Sequence, residues 1–191
     1  MKTLGASSRG FTLLELMMTV AVATIFLTVI PPTFGSIITA VRIKSQVYDF
    51  NDALNYARSE AVKRGTWVSL CASADQATCG PDGTNWESGW IVFVDRNNNQ
   101  VVNIGDTLLV KSAMVPGYRL RGTSGTTLTS YITFSAKGAP SASGTFIICK
   151  GAVLNPSRAI LIGTSGRITS AQDHNGIPKD ASGADMTTCT P

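Results

Sequence analysis

A long apolar segment near the N-terminus limits what this chain can fold into. Residues 11–30 read FTLLELMMTVAVATIFLTVI and contain a single charged residue, Glu15. A helix of this length is about 30 Å long, which matches the hydrocarbon core of a bilayer. Lys2 and Arg9 precede the segment and no acidic residue does. The positive-inside tendency therefore predicts a single-pass helix with a cytoplasmic N-terminus and a C-terminal domain on the outer side.

A cleavable secretory signal is the alternative interpretation of this segment. Such a signal has a shorter apolar core, and its small-residue cleavage site follows that core. Here Pro31 and Pro32 follow the segment, whereas the small residue Gly10 precedes it. Glu15 would cost about 2.5–3.5 kcal/mol at the centre of a membrane helix, and less near its end, so we expect its carboxylate to have a partner.

The junction at residues 9–16, RGFTLLEL, resembles the leader junction of type IV pilins and of type II secretion pseudopilins. The resemblance implies that a prepilin peptidase removes residues 1–10 by cutting between Gly10 and Phe11. It also implies that the new N-terminal Phe11 is N-methylated, and that Glu15 pairs with the Phe11 amine of a neighbouring subunit during assembly. The protein would then reside in the inner membrane, with a periplasmic domain, until it enters a filament.

The residues after the apolar segment predict an amphipathic continuation of the helix at 31–65. We expect Pro31 and Pro32 to kink or interrupt the helix, because proline lacks an amide donor and clashes with the preceding turn. Gly65 is well placed to end it. Apolar residues at spacings of three and four form one face of the helix. This face consists of Val47, Phe50, Leu54, Ala57 and Ala61.

Beyond residue 65 the hydrophobic pattern changes from helical to strand-like. Short apolar runs punctuated by Gly, Asn, Ser and Pro predict about six or seven strands in antiparallel sheets packed on the helix. Hence we predict an α+β pilin fold, with a β-rich globular domain at 66–191 and an extended strap from residue 171 onward. The predicted strands are 66–71, 90–94, 107–110, 131–134, 145–149 and 158–162.

Four cysteines lie in the predicted globular domain. An even number of cysteines beyond a membrane segment indicates an oxidising compartment and two disulfides. Three pairings are possible, of which we favour Cys71 with Cys79 and Cys149 with Cys189, the second tying down the tail. Each bond would contribute about 2–4 kcal/mol by restricting the unfolded chain. The alternative is four buried thiols in a reduced protein.

Charge and histidine content argue against several classes of function. The formal net charge of +4 falls to +2 without Lys2 and Arg9, which leaves 14 basic against 12 acidic residues. Such a small excess does not by itself indicate a nucleic-acid partner. The single histidine, His174, lies in a polar stretch, which favours neither a nucleophile–base pair nor a structural zinc site. We therefore predict that the chain is not an enzyme and needs no cofactor.

Three segments in the rest of the chain resemble the GspH/FimT branch of minor pilins and pseudopilins, which includes FimU. They are NYARSEA at 55–61, WIVFVD at 90–95 and IGTSGR at 162–167. The resemblance implies a structural subunit of a tip or initiation complex, with other major or minor pilins or pseudopilins as partners. The leader junction serves type IV pili and type II secretion alike, so the sequence leaves open which of the two systems the protein serves.

DNA binding is the alternative function. Some FimT proteins bind DNA during natural transformation through a Gly-Arg-x-Arg motif, and residues 166–169, GRIT, resemble it with Thr169 in place of the second arginine. This resemblance makes Arg167 a DNA-binding candidate. Arg119 and Arg121 alternate and could share one strand face with a basic patch. The competing interpretation is that these are scattered, solvated charges.

A weaker pattern at residues 95–106 suggests a calcium loop. Oxygen-bearing residues fall at most of the ligand positions of an EF-hand loop. However, Gln100 replaces the turn glycine, the last ligand position lacks its glutamate, and strands flank the loop. An asparagine-rich connection between two strands is the alternative. The candidate calcium ligands are Asp95, Asn97, Asn99, Asn103 and Asp106.

Overall fold

The computed structural model describes residues 10–81, 86–122, 127–171, 178–179 and 189. The leader up to residue 9, His174 and most of the expected C-terminal strap lie outside these residues. The chain divides into two compact units, Met1–Ile38 and Thr39–Pro191.

Helix α1 (Leu13–Arg64) is continuous through Pro31 and Pro32, so the predicted interruption at these prolines is wrong. An interior proline removes one hydrogen bond and costs about 3 kcal/mol. Two adjacent prolines weaken the same turn, and long helical stretches flank that turn on both sides. Because helix propagation is cooperative, such flanks can maintain helical geometry across one weakened turn.

The C-terminal end of α1 is set by Gly65, as predicted. Gly65 has a φ of 64°, in the left-handed region that glycine adopts without strain. Its N–H donates to the Val62 carbonyl at 3.3 Å, and the Thr66 N–H donates to the Ala61 carbonyl at 3.2 Å. This pair of bonds is the Schellman motif, which satisfies carbonyls that a helix end otherwise leaves unpaired.

Two antiparallel four-stranded sheets follow the helix, together with the short 3₁₀ helices Trp86–Ser88 and Thr127–Thr129. The strands are β1 (Val68–Ala72), β2 (Trp90–Val94), β3 (Leu108–Ser112), β4 (Tyr118–Gly122), β5 (Tyr131–Phe134), β6 (Gly144–Lys150), β7 (Val153–Ile162) and β8 (Ile168–Ala171). Sheet A has the order β3-β2-β1-β5, and sheet B has the order β4-β6-β7-β8. The predicted combination of a long helix with antiparallel sheets is therefore confirmed.

The core lies where the buried face of α1 meets both sheets, and Phe50 is at its centre. The Phe50 ring packs edge-to-face against Trp90 of sheet A at 5.1 Å between centroids and against Phe146 of sheet B at 4.9 Å. Trp86 contacts both Phe50 and Phe146. All five residues of the predicted apolar helix face are buried, which confirms that face. Phe50 thus links the helix to both sheets.

The two disulfides of the structure are the pairings that the sequence favoured, Cys71–Cys79 and Cys149–Cys189. Cys71 packs with Ile91 and Phe93, which belong to a cluster separate from the main core. Cys149 and Cys189 pack with Ile147 in another such cluster. Each disulfide therefore supports a small apolar cluster outside the main core.

The loop closed by the first disulfide is organised by Asp75. Its carboxylate accepts hydrogen bonds from the N–H groups of Ala77 and Thr78 and from the hydroxyls of Thr78 and Ser73, at 2.7–3.0 Å. These donors, the Thr78 N–H foremost, hold the pKa of Asp75 well below its ordinary value. The charged carboxylate is the form that this loop geometry requires.

Candidate assembly and binding sites

The predicted processing site lies directly before helix α1. Gly10 and Phe11 precede the helix, and the Phe11 side chain is 82% exposed. Thr12 caps the helix, because its hydroxyl accepts the N–H of Glu15 at 3.3 Å. Glu15 lies in the first turn, where the helix dipole favours a negative charge. No described residue forms a hydrogen bond or ion pair with its carboxylate.

The first turns of α1 expose their apolar side chains. Leu13, Leu14 and Met17 are each at least two-thirds exposed, and the pattern continues to Leu27. Apolar surface on this scale indicates a partner surface or a lipid environment. Within the described residues, none of the helices combines the length and hydropathy that a membrane span requires.

The calcium-ligand candidates lie in the connection between β2 and β3, and hydrogen-bond donors occupy the oxygens of Asp95. Asp95 is fully buried. Its carboxylate accepts the Ser69 hydroxyl at 2.7 Å and the N–H groups of Asn99 and Gln100 at 3.0 Å. A cation would have to displace all three donors. The buried carboxylate therefore acts as an anchor for the loop backbone.

The remaining candidates of this loop also bind one another. The Asn103 side-chain amide donates to Asn99 Oδ1 at 3.0 Å, and the Asn103 N–H donates to Asp106 at 2.9 Å. Asn97 is exposed. Over the described parts of the chain, no three His, Cys, Asp or Glu residues come together in a group that could hold a metal ion. The geometry favours the asparagine-rich connection over a calcium loop.

Strand β4 places Arg119 and Arg121 on one face, as their alternation predicts. Arg121 forms an ion pair with Glu87 and donates to the Leu120 carbonyl, whereas Arg119 forms no salt bridge with any residue that the structure describes. Burial lowers the pKa of the Arg121 guanidinium. A guanidinium that is already paired and largely buried is a poor contact for a phosphate, so Arg121 is better explained as a structural residue.

Arg167 lies far from these two arginines. It precedes β8, and β4 and β8 are the opposite edges of sheet B. Two strands lie between them, a separation of roughly 14 Å at the usual strand spacing. The structure therefore does not bring the three DNA-binding candidates into one cluster. Arg167 itself is exposed.

The turn that carries Arg167 is held by Arg58 of helix α1. Arg58 Nη2 donates to the Ser165 carbonyl, and Nε donates to the Gly138 carbonyl, both at 3.0 Å. Gly166 has a φ of 77°, and a Cβ there would run into the Gly138 carbonyl and lie 2.9 Å from Arg58 Nε. Only glycine fits such a position. The sequence did not reveal this clamp, although Arg58, Gly138 and Gly166 are all visible in it, because their proximity depends on the fold.

Family models match both parts of the chain. A model of the prokaryotic N-terminal methylation motif matches residues 5–31. A model described as type II transport protein GspH matches residues 46–166, which is more than half of the chain. The chain belongs to the GspH family. Its resemblance to minor pilins and pseudopilins, inferred from the leader junction and from the segments at 55–61, 90–95 and 162–167, is confirmed by these two matches.

Solved structures of a type IV minor pilin share the fold of this GspH-family protein. Two crystal forms of the type IV minor pilin FimU of Pseudomonas aeruginosa PAO1 superpose with TM-scores of 0.54 and 0.55, at 21% and 22% identity. They cover 77% and 76% of this chain and 94% and 98% of FimU. The minor pseudopilin EpsH of the Vibrio cholerae type 2 secretion system matches at a TM-score of 0.46 and 10% identity, covering 68% of this chain and 95% of EpsH. No curated protein sequence matches significantly.

Proposed function

We propose that this GspH-family protein is a minor subunit of a pilus-like filament, in its tip or initiation complex. The observation that carries the proposal is the start of helix α1, where exposed apolar residues surround the carboxylate of Glu15, which has no described partner. Neighbouring helices of a filament would cover the apolar surface, and an amine would neutralise the charge. An isolated carboxylate is costly in apolar surroundings. A filament core that supplies both apolar helices and an amine would therefore suit the exposed apolar surface and the charge of Glu15 together.

The amine in this scheme is the N-terminus created by a prepilin peptidase. Cleavage after Gly10 leaves Phe11 as the first residue, and its N-methylated amine stays cationic near neutral pH. Phe11 is exposed and lies outside the helix, so its amine is accessible to a neighbour. Before assembly, residues 11–30 would anchor the protein in the inner membrane, with the cytoplasmic leader removed and the sheet domain in the periplasm.

The proposal is tested by the variant Glu15→Gln in cells that assemble the filament. Loss of one partner of a buried ion pair costs about 3–5 kcal/mol, so incorporation into filaments should fall at least about a hundredfold. Immunoblots of sheared filaments and of membranes measure incorporation and precursor processing separately. The matched control is Thr12→Ala, which removes the helix cap but keeps the carboxylate, and which should still be incorporated. Wild-type incorporation of Glu15→Gln would contradict the proposal.

The type of filament is decided by a deletion strain scored for twitching and for protein secretion separately. Loss of secretion alone assigns the protein to a type II secretion pseudopilus. Loss of twitching alone assigns it to a type IV pilus. Either result is compatible with the GspH family and with the same assembly chemistry at Glu15.

A second candidate function, DNA capture, is supported by the exposed and rigidly held Arg167. The clamp from Arg58 presents this arginine on a fixed turn, which is a suitable arrangement for a phosphate contact. In gel-shift assays at low salt, Arg167→Ala should weaken binding and lower the salt slope by about one. Arg96→Ala removes another exposed arginine and serves as the control. Absence of any retardation at low salt would exclude this function.

A further inference from the structure

A groove lies between α1 and the edge of sheet A, within the unit Thr39–Pro191. Its volume is ≈ 1070 Å³. Helix residues between Asp49 and Lys63 form one wall, and Trp90 with residues 110–112 of β3 forms the other. The lining alternates apolar groups such as Val62 with charged ones. A groove that runs along a helix and a strand, with mixed apolar and charged walls, suits an extended peptide better than a compact small molecule.

Strand β3 presents an open edge to this groove. It pairs with β2 on one side only. Within the described residues, no hydrogen bond reaches the other edge of β3. The opposite edge of sheet A differs, because β5 is covered there by a bridge between Phe134 and Pro140 and by the Ser141 N–H on the Thr133 carbonyl. An unpaired strand edge is a ready template for another strand.

The indole N–H of Trp90 is a second indication that another chain segment binds in the groove. Trp90 lines the groove and is 1% exposed, yet its indole Nε1 has no hydrogen-bond partner in the described part of the structure. The neighbouring Trp86 shows the usual arrangement, since its Nε1 donates to the Leu128 carbonyl at 2.9 Å. Buried N–H groups are rarely left unpaired. An acceptor on an occupant of the groove would supply the missing partner.

Two aspartates, Asp49 and Asp52, line one wall of the groove, and Lys111 of β3, which also lines it, forms no salt bridge with either of them among the described residues. Asp52 is exposed and has neither a hydrogen bond nor an ion pair among the described residues, and Asp49 is contacted only by the neutral amide of Gln46. Toward the other end Lys63 already pairs with Glu60. The two ends of this wall are 14 residues apart on the helix, or about 21 Å. A basic side chain on an occupant would complement the acidic end.

We propose that an extended segment of a neighbouring pilin-like subunit, different in sequence from this chain, adds to β3 as a further strand of sheet A. The segment lies against α1 and places a lysine or arginine beside Asp49 and Asp52. Its backbone pairs with the open edge of β3. The inference rests on the proposed role as a filament subunit, since that role supplies the neighbour.

Photocrosslinking in cells tests this proposal with the full-length protein. Tyr56 lines the groove and is 39% exposed, so p-benzoylphenylalanine can replace it with little change in shape. Tyr48 is the matched control, because it is 54% exposed on the same helix but does not line the groove. Mass spectrometry of the crosslinked peptides should place the Tyr56 probe on an extended segment of another pilin-like subunit. The Tyr48 probe should not reach that segment.

Charge reversal gives an independent second measurement. Asp52→Lys should lower the Tyr56 crosslink by about tenfold, and Asp52→Asn should lower it less. Reversing the partner's basic residue should restore the crosslink to Asp52→Lys. Absence of a Tyr56 crosslink in filaments that contain the protein, a crosslink to a second copy of this chain, or insensitivity to Asp52→Lys would overturn the inference. If the protein never enters filaments, the proposed function fails instead, so the two failures are distinguishable.

Discussion

The Arg58 clamp gives a prediction whose magnitude follows from two hydrogen bonds. The variant Arg58→Met keeps most of the aliphatic stem but removes the guanidinium. The bond to the Gly138 carbonyl is partly buried and the bond to the Ser165 carbonyl is exposed. A partly buried charge-assisted bond contributes about 1.5–3 kcal/mol and an exposed one contributes a few tenths to about 1 kcal/mol. We therefore expect the free energy of unfolding to fall by about 2–4 kcal/mol.

Thermal unfolding of the detergent-solubilised full-length chain measures this loss. Trp86 and Trp90 are both 1% exposed, so their fluorescence reports loss of the core. For a chain of this size, about 2–4 kcal/mol corresponds to a decrease in Tm of roughly 4–16 °C. Arg58→Lys should give an intermediate value, because one ammonium group cannot reproduce the two-pronged geometry. Hydrogen exchange should also accelerate in the turns at 135–140 and 163–167.

An Arg58→Met variant that unfolds at the wild-type temperature, with unchanged exchange in both turns, would show that the clamp does not stabilise the fold. Such a result would mean that water satisfies the two carbonyls as well as the guanidinium does. A lower Tm without faster exchange in the turns would also contradict it, because the loss would then arise elsewhere than at the clamp.

Three further predictions concern the core, pH and calcium. Phe50→Ala should destabilise the protein by about 3–5 kcal/mol in denaturant unfolding, whereas exposed Tyr48→Ala should change stability by less than about 0.5 kcal/mol; equal effects would contradict the packing described. Because the pKa of Asp75 is depressed, its contribution to stability is complete above the pKa of an unfolded aspartate, declines as pH falls below that value, and is lost once pH has fallen through the lower folded pKa. Carboxyl NMR should therefore show Asp75 still ionised at about pH 3, and a midpoint near the ordinary 3.9 would refute this. Isothermal titration with millimolar calcium should give no saturable heat, since N–H and O–H donors occupy Asp95; a binding isotherm lost in Asp95→Asn would contradict the loop's assignment.

The sequence predicted secondary structure correctly where the residues of a single helix or strand determine that structure. The apolar face around Phe50 and the stop at Gly65 follow from helical spacing and glycine geometry, and the structure contains both. Strands β2 and β5 begin and end at the residues that the apolar runs at 90–94 and 131–134 indicate. In these segments the local secondary-structure preference and the tertiary packing favour the same structure.

Strands β4 and β8 are not among the strands predicted from apolar runs, because pairing with distant residues stabilises them. Two arginines interrupt the apolar pattern of β4, and the charge of Arg121 is neutralised by Glu87, far away in the sequence. The short and mostly polar β8 follows a turn that Arg58 holds against another loop. Pro31 and Pro32 led to a wrong prediction for a related reason. The local cost of proline in a helix is outweighed by the cooperativity of a long helix.

Among the candidate sites, too, some features follow from the local sequence and others depend on residues that only the fold brings together. Glu15 is recognisable from its place within an apolar run, and its exposure at the helix start is consistent with assembly. The oxygens of the Asp95 loop suggest a cation in the sequence, but they accept hydrogen bonds from backbone N–H groups and from the distant Ser69 hydroxyl, whose positions only the fold specifies. The open edge of β3 cannot be read from the sequence at all, because it depends on strand order.

Intact-mass and N-terminal peptide analysis of the protein purified from its native membrane tests whether the amine proposed to pair with Glu15 exists. We expect a chain that begins at Phe11, carries one methyl group on its amine, and lacks residues 1–10. A native protein that retains Met1, or one cleaved beyond the apolar segment at 11–30, would contradict this expectation, because the amine that Glu15 requires would then not exist.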